Sequence, residues 1–488
     1  MNPFATIKEL NEQLKAKYIS PREVIDFYTN RINTYNNQFN AFTHTYEPDM
    51  IASAKENHLS LVGIPGIIKG NIAKRGKPHH AGSNMLKNHK AAYNATIVDH
   101  LLEHGAPIIG TSNMDEFAMG STGEYSAFGK TKNPWDVTRT PGGSSSGVSA
   151  AVAAGMVPWG IGTETGGSVR QPAAFCNLVG LYPTYGLFSR YGLIAFGSSL
   201  DQAGPITRTV YDNAVIASAM SGHDPKDSTS LPEPKKDYTR KLDGVIPEGL
   251  KIGVLKEALD GTGIDPQIHA AFKKSLHELE RLGCTLKTVE HATLKHGVTL
   301  YFILSRAEAA SNLSRYDATL YGSRAENYTN LNDMIIESRT KYFGKEVKRR
   351  IMMGNYVLSS GHREFYDKAN AIRQMIRAEF DTAFMDVDLI VSPTTTTLPF
   401  KFGEAEANPL AIYMSDYFSV PICIAGLPSL SIPGGFSKEG LPIGFQFIGP
   451  RLSEELLYQV AYALEQQTGF HLRNAGEKMA SYSEKTAE

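Results

Sequence analysis

The sequence predicts an α/β protein in which a sheet of short buried strands is covered by helices on both faces. Two patterns carry that expectation. Helical and strand periodicities alternate along most of the chain, and the strand candidates are continuous apolar runs, as strands buried on both faces are. A third pattern, glycine crowded into one window, marks where backbone is needed close to something else.

The elements follow in order. Ser20-Pro21-Arg22-Glu23 is a capping box with proline at the first helical position, and Val24, Phe27, Tyr28 and Ile32 then fall on one face. The stretch to about residue 60 is therefore expected to be helical. Residues 66–68 read as a short strand ending at Lys69, and residues 106–110 as another. Residues 149–155, rich in Ala and Val, read as a buried helix that stops before a strand at 159–162. Residues 251–255 form a strand pattern. Asp265-Pro266 then caps a helix carrying Phe272, Leu276, Leu279 and Leu282 and stopping at Gly283. Helical patterns dominate from about 300 to 386, a strand resumes at 389–391, and 430–436 with 444–448 reads as a hairpin around Lys438-Glu439-Gly440. At ~150 residues per domain, 488 residues would allow about three domains. No linker or repeat divides them, so one unit over 1–488 is expected. It comprises a helical N-terminal segment (about 1–60), a Gly/Ser-rich core (about 61–215) and a mainly helical peripheral segment (about 260–388).

Composition narrows the function classes. Lys plus Arg is 49 against 50 Asp plus Glu, a net charge of −1, which argues against a protein that grips nucleic acid by itself. The three cysteines, Cys176, Cys284 and Cys423, are far apart and form no C-x-x-C, which excludes a disulfide framework and favours a reducing compartment. The opening residues lack an apolar stretch of signal-peptide length, and no run reaches the ~18 apolar residues of a membrane span. A cytoplasmic protein with no membrane partner is expected. His79-His80 have no acidic or cysteine companions nearby, so no metal site is expected.

Residues 120–204 hold 16 of the 44 glycines and many serines, and a linker would lack the interleaved Phe128, Trp135, Val148, Trp159, Phe175 and Leu181. Two familiar motifs fail there. Gly129-Lys130-Thr131 ends like a phosphate loop, but position 124, where that loop needs glycine, is Glu. Gly143-Ser144-Ser145-Ser146-Gly147 matches a nucleophile elbow in letters, but a turn-forming approach precedes it and no histidine lies between His104 and His223.

Glycine loops, serines and one lysine fit better. Gly166-Gly167-Ser168 follows a strand candidate, and two glycines before a serine let successive N–H groups turn toward one point, as an oxyanion hole requires. Ser144 lies at the mouth of a helix, where unpaired N–H groups favour negative charge. Lys69 ends an apolar strand, and burial lowers a lysine pKa by up to about 3–5 units, enough for a neutral base acting through one serine on another. The plainer alternatives stand beside this one: Lys69 snorkelling to solvent, and serines serving only as turn residues.

Pro141-Gly142-Gly143-Ser144-Ser145 and Thr165-Gly166-Gly167-Ser168-Val169-Arg170-Gln171-Pro172-Ala173-Ala174 strongly resemble the amidase signature family, whose two serines are likewise 24 residues apart. The resemblance implies an α/β/α fold around a large mixed sheet and a Ser-cisSer-Lys triad. In it Ser168 is the nucleophile, Ser144 the bridging serine with a cis peptide and Lys69 the base, with oxyanion donors at Thr165, Gly166, Gly167 and Ser168. Runs such as Asn113-Met114-Asp115-Glu116-Phe117-Ala118-Met119-Gly120-Ser121 and Glu346-Val347-Lys348-Arg349-Arg350-Ile351-Met352 are similar to the amidase subunits of tRNA-dependent amidotransferases. That likeness implies hydrolysis of glutamine to glutamate and ammonia, with no cofactor in the amidase subunit itself. It implies a heterotrimer, completed by the B and C subunits of the complex. The B subunit would use ATP and Mg²⁺ to amidate Glu on misacylated tRNA(Gln), often Asp on tRNA(Asn) too, and the small C subunit would hold the pair together. The likeness also implies a pocket in which Arg349 clamps the substrate carboxylate, Asp416 takes its ammonium and Tyr301 supplies a polar edge, with Arg350 as the alternative clamp.

Three positions depart from the family pattern: Gly70 and Glu164, where Asp is usual, and Ser146, where a glycine is usual. Two rival readings remain. A stand-alone amidase for small or aryl amides shares the triad, and a non-catalytic assembly subunit would have lost it. The runs at 113–121 and 346–361 argue against the first, and intact Lys69, Ser144 and Ser168 against the second.

Overall fold

Eleven strands join in one sheet in a computed structural model of the chain, which describes residues 1–47 and 59–485. The strands are β1 (Phe42–Thr45), β2 (Gly66–Lys69), β3 (Ile108–Ser112), β4 (Trp159–Glu164), β5 (Val179–Tyr182), β6 (Gln202–Thr207), β7 (Lys251–Leu255), β8 (Thr285–Val289), β9 (Leu389–Pro393), β10 (Ser429–Phe436) and β11 (Pro442–Ile448). Their spatial order is β1-β3-β2-β4-β6-β5-β10-β11-β9-β7-β8. The sheet is mixed. The β3-β2-β4 and β9-β7-β8 groups are parallel, and the strands between them pair antiparallel. A continuous apolar core runs from Ala5 to Met479, and β2, β3, β4, β5, β6 and β9 are buried along their whole length. That accounts for the apolar runs read at β2, β3, β4 and β9.

Several boundaries differ from those read in the sequence. The N-terminal stretch is not helical throughout: helices Ile7–Lys15 and Pro21–Phe39 are followed by strand β1, and residues 48–58 lie outside the described residues. The capping box is as expected, with Ser20 accepting from the Glu23 amide and Glu23 from the Ser20 amide. β3 runs two residues past the apolar pattern, because Thr111 and Ser112 are buried despite their polarity. The buried helix starts at Ser146, three residues early, since its first turn, Ser146-Gly147-Val148, offers almost no apolar signal. Four strands carry no legible pattern: β1, β5, β6 and the largely exposed edge strand β8. Between 297 and 383 the chain is helical, through Gly297–Asn312, Leu331–Tyr342, Lys345–Leu358 and Arg363–Ala383.

The parallel group positions the chemistry. In register, Lys69 of β2 stands beside Ser112 of β3, and β4 runs parallel to β2, with Gly66 beside Trp159 and Ile68 beside Ile161. The carboxyl ends of β2 and β4 therefore deliver Lys69 and the Thr165–Ser168 loop to the same edge of the sheet, where α/β proteins build their sites. Among the described residues no helix is long and apolar enough to cross a membrane.

Candidate active site

Lys69 has no exposure to solvent. Its Nζ lies 2.7 Å from Ser144 Oγ, 3.0 Å from Ser145 Oγ and 3.0 Å from the Thr163 carbonyl. The plainer alternative of a snorkelling lysine does not describe it. Burial drives its pKa from 10.5 down to about 7, against the opposing pull of the Asp115, Asp201 and Glu164 carboxylates. Gly70 bears on this balance. A Cβ there would lie 2.5 Å from the His80 ring, so no carboxylate fits beside the lysine at that position. His80 itself accepts from the Gly82 amide and holds Thr43, and burial lowers its pKa to about 3, so it is neutral.

The serine loop is tied at several points. The Gly143–Ser144 bond is cis. Gly143 N–H donates to Gln171 Oε1 at 3.0 Å, and the Ser144 carbonyl accepts from the Asp115 amide at 3.3 Å. Asp115 in turn accepts from the amides of Gly123 and Tyr125, both at 3.0 Å. Ser146, the second departure, is buried with its Oγ 3.4 Å from Thr131 Oγ1.

The Thr165–Ser168 loop lies directly against this one, since the Ser145 amide donates to the Ser168 carbonyl at 3.2 Å. Thr165 is held by a 2.6 Å hydrogen bond to Asp201, which also accepts from the Phe196 and Gly197 amides. Ser419 Oγ donates to the Gly166 carbonyl at 2.7 Å. Both glycines are required by what faces them. A Cβ on Gly166 would meet the Tyr301 ring at 2.7 Å, and one on Gly167 would meet Ser419 Oγ at 2.7 Å and Asp416 Oδ1 at 3.0 Å. Glu164, the third departure, anchors the loop from below. It accepts from the Val169 and Arg170 amides at 3.0 Å, just after Ser168, and pairs with the Arg170 guanidinium in complete burial. Arg170 reaches on to the Ser419 carbonyl and Gln446, closing a network behind the loop.

A cavity of about 420 Å³ opens over Gly166, Gly167 and Ser168 and is also lined by Tyr301, Arg349, Arg350 and Asp416. Of the residues named for the site, Lys69, Ser144 and Thr165 are not part of this lining. Ser168 is 8% exposed, while Ser144 and Lys69 are wholly buried. Asp416 Oδ2 accepts from Ser121 at 3.1 Å, whereas buried Oδ1 has no partner. Burial raises this carboxyl from 3.8 to about 7. The two arginines differ. Arg349 spends Nε and Nη2 on Glu346 and Nη2 also on the Tyr413 hydroxyl. Arg350 is buried and bonds Glu346 through Nε alone, so among the described residues its two Nη groups have no protein partner. The sequence alone assigns no role to Asp115, Asp201, Ser121 or Glu346. Asp115, Ser121 and Glu346 lie inside the runs that carry the family resemblance, and that membership is the signal that could have found them.

Comparison with known proteins identifies the family. The sequence profile of the Amidase family matches residues 23–458. The chain is 47% identical over 475 residues to the A subunit of glutamyl-tRNA(Gln) amidotransferase from Alkaliphilus metalliredigens, covering 95% of this chain and 96% of that one. It is 46% identical over 465 residues to the protein of the same name from Halothermothrix orenii, covering 94% and 96%. Among solved structures it is similar to the A subunit of glutamyl-tRNA(Gln) amidotransferase from Thermotoga maritima, with a TM-score of 0.80 at 37% identity over 95% of both chains.

Proposed function

The chain belongs to the amidase family, and on that premise we propose that it is the glutamine-hydrolysing subunit of a glutamyl-tRNA(Gln) amidotransferase. One observation carries the chemistry: a wholly buried lysine, lowered to about 7, sits 2.7 Å from a serine hydroxyl beneath the Gly166-Gly167-Ser168 loop.

The hydrogen bonds around Lys69 suggest which way protons move. The Thr163 carbonyl can only accept, and Ser145 gives its proton to that same carbonyl at 3.1 Å. Ser144 is then the neighbour able to donate to the lone pair of a neutral amine. Ser168 Oγ attacks the side-chain amide carbon of glutamine while its proton passes to Ser144, whose own proton passes to Lys69. The N–H groups at 165–168 hold the oxyanion. Collapse breaks the C–N bond, ammonia leaves with a proton returned through Ser144, and water cleaves the glutamyl ester on Ser168. Lowering Lys69 from 10.5 to about 7 corresponds to about 5 kcal/mol of bias toward the neutral amine, which matches the base to neutral pH.

Asp416 Oδ1, buried without a partner, receives the α-ammonium of glutamine. Arg350, with both Nη groups uncommitted, is favoured over Arg349 for the α-carboxylate. Tyr301 closes the wall against Gly166. The ammonia is passed to the ATP-using B subunit, where ATP and Mg²⁺ drive amidation of Glu on tRNA(Gln), and of Asp on tRNA(Asn) where the complex serves both. The small C subunit holds the pair together. Reconstitution tests this: with both partner subunits, the chain supports glutamine-dependent conversion of Glu-tRNA(Gln), and Ser168→Ala loses that route but keeps amidation from free ammonia. Hydrolysis of simple amides by the chain alone, with no glutamine-dependent amidation, would assign it to the stand-alone amidases instead.

A further inference from the structure

Behind the cavity wall lies a third arginine that neither the sequence motifs nor the triad account for. Arg306, on the helix Gly297–Asn312, is 2% exposed. Its guanidinium stacks 3.9 Å from the Phe302 ring centroid and 5.9 Å from that of Tyr413, two rings that line the cavity and meet edge to face at 4.2 Å. Buried Nε and Nη1 have no hydrogen-bond partner, and no carboxylate among the described residues lies within ion-pair distance. The two arginines nearest in charge, Arg350 and Arg349, already share the one carboxylate of the group, Glu346. Glu346 is thus taken by its two neighbours, and among the described residues no carboxylate pairs with Arg306. Burial and Arg350 together lower even the Arg306 pKa, to about 10. A buried cation without a counter-charge is costly, and a site retains one where a ligand completes it.

We propose that Arg306 is a specificity-determining residue: it supplies the second positive charge of the α-carboxylate subsite, acting with Arg350 to select amides that carry a carboxylate. The inference rests on the reading of the cavity as a glutamine pocket. The low-dielectric rings between Arg306 and the cavity transmit its field, and the aromatic stack keeps the guanidinium in place.

The test uses pairs of molecules that differ only in the α-carboxylate. Glutamine is compared with 4-aminobutanamide, which keeps the ammonium and the scissile amide. In Arg306→Gln the preference for glutamine, as the ratio of kcat/KM values, falls about tenfold, and the loss is in KM. Arg306→Lys, which keeps the charge, retains most of the preference. Equal preference in wild type and Arg306→Gln overturns the proposal. Should Arg306→Gln fail to fold, the unaltered protein gives a second measurement. The ¹⁵Nε resonance of Arg306, assigned through Arg306→Lys, shifts when glutamate saturates the site and stays in place with 4-aminobutanoate; equal responses overturn the proposal. A wild type that hydrolyses neither amide counts against the glutamine reading, while the resonance still reports whether Arg306 senses a bound carboxylate.

Discussion

Lys69 Nζ stands 2.7 Å from Ser144 Oγ with neither side chain exposed to solvent, so the amine titrates against protein groups alone. Its position at the end of β2, beside the carboxyl end of β4, is set by the sheet register.

The pH dependence follows from two groups. Lys69 works only when neutral, and its pKa of about 7 means activity is lost as pH falls through that value. Asp416 binds an ammonium only when ionised, and with its carboxyl raised to about 7 it too is lost as pH falls. In kcat, where bound substrate keeps Asp416 ionised, activity drops about tenfold per pH unit below neutrality; in kcat/KM the slope approaches twice that. Lys69→Arg gives no recovery, because a guanidinium stays protonated. Steady-state rates across pH check this, and a kcat that stays level well below neutrality contradicts it.

The pocket residues divide by their free valences. Asp416→Ala and Arg350→Ala each cost about 2–5 kcal/mol of glutamine recognition, seen as a large rise in KM. Arg349→Ala costs less, because its donors already serve Glu346 and Tyr413. Free ammonia still supports amidation by the assembled complex in all three. Titration of glutamine against each variant checks the order, and a larger effect at Arg349 than at Arg350 reverses the assignment.

Gly167→Ala tests the oxyanion loop. The added methyl would sit 2.7 Å from Ser419 Oγ and 3.0 Å from Asp416 Oδ1, so the loop turns away from its working geometry. Loss of aligned donors of this kind lowers kcat about 10²–10³-fold. Turnover at saturating glutamine and a circular-dichroism spectrum together separate this from unfolding.

Glu164→Ala removes the partner of a wholly buried arginine and the carboxylate oxygen that accepts both amides of the turn after Ser168. Stability falls by about 3–5 kcal/mol, measured by denaturant unfolding. A variant as stable as the wild type would show that the Glu164–Arg170 pair does not anchor the loop.

Strand centres were legible because buried parallel strands are apolar along their centres, as in Lys251–Leu255, which falls where the pattern places it and is buried from Ile252 on. Strand ends were not, because Thr111, Ser112 and Glu164 are buried polar residues whose partners lie far along the chain. The edge strands β1 and β8 lack the apolar run for the opposite reason: much of each is exposed. Lys69, Ser144 and Ser168 could be named from local glycine and strand context together with the family motifs. The choice between Arg349 and Arg350 could not. Adjacent positions on a helix differ by about 100° in facing; both arginines reach Glu346 and both line the cavity, and how many donors each keeps free depends on how the helix Lys345–Leu358 packs. Arg306 was silent for the same reason, since an arginine amid a helix reads as a solvated residue until its burial is seen.

The central claim is that Ser168 forms a covalent ester with the acyl group of glutamine. Denaturing quench of the protein during turnover, followed by proteolysis and mass spectrometry, measures it directly. The glutamyl adduct is expected on the peptide containing Ser168, absent from Ser168→Ala and accumulating when Lys69 is intact. An adduct on Ser144 or Ser145 instead, or turnover by Ser168→Ala at the wild-type rate, would contradict the account.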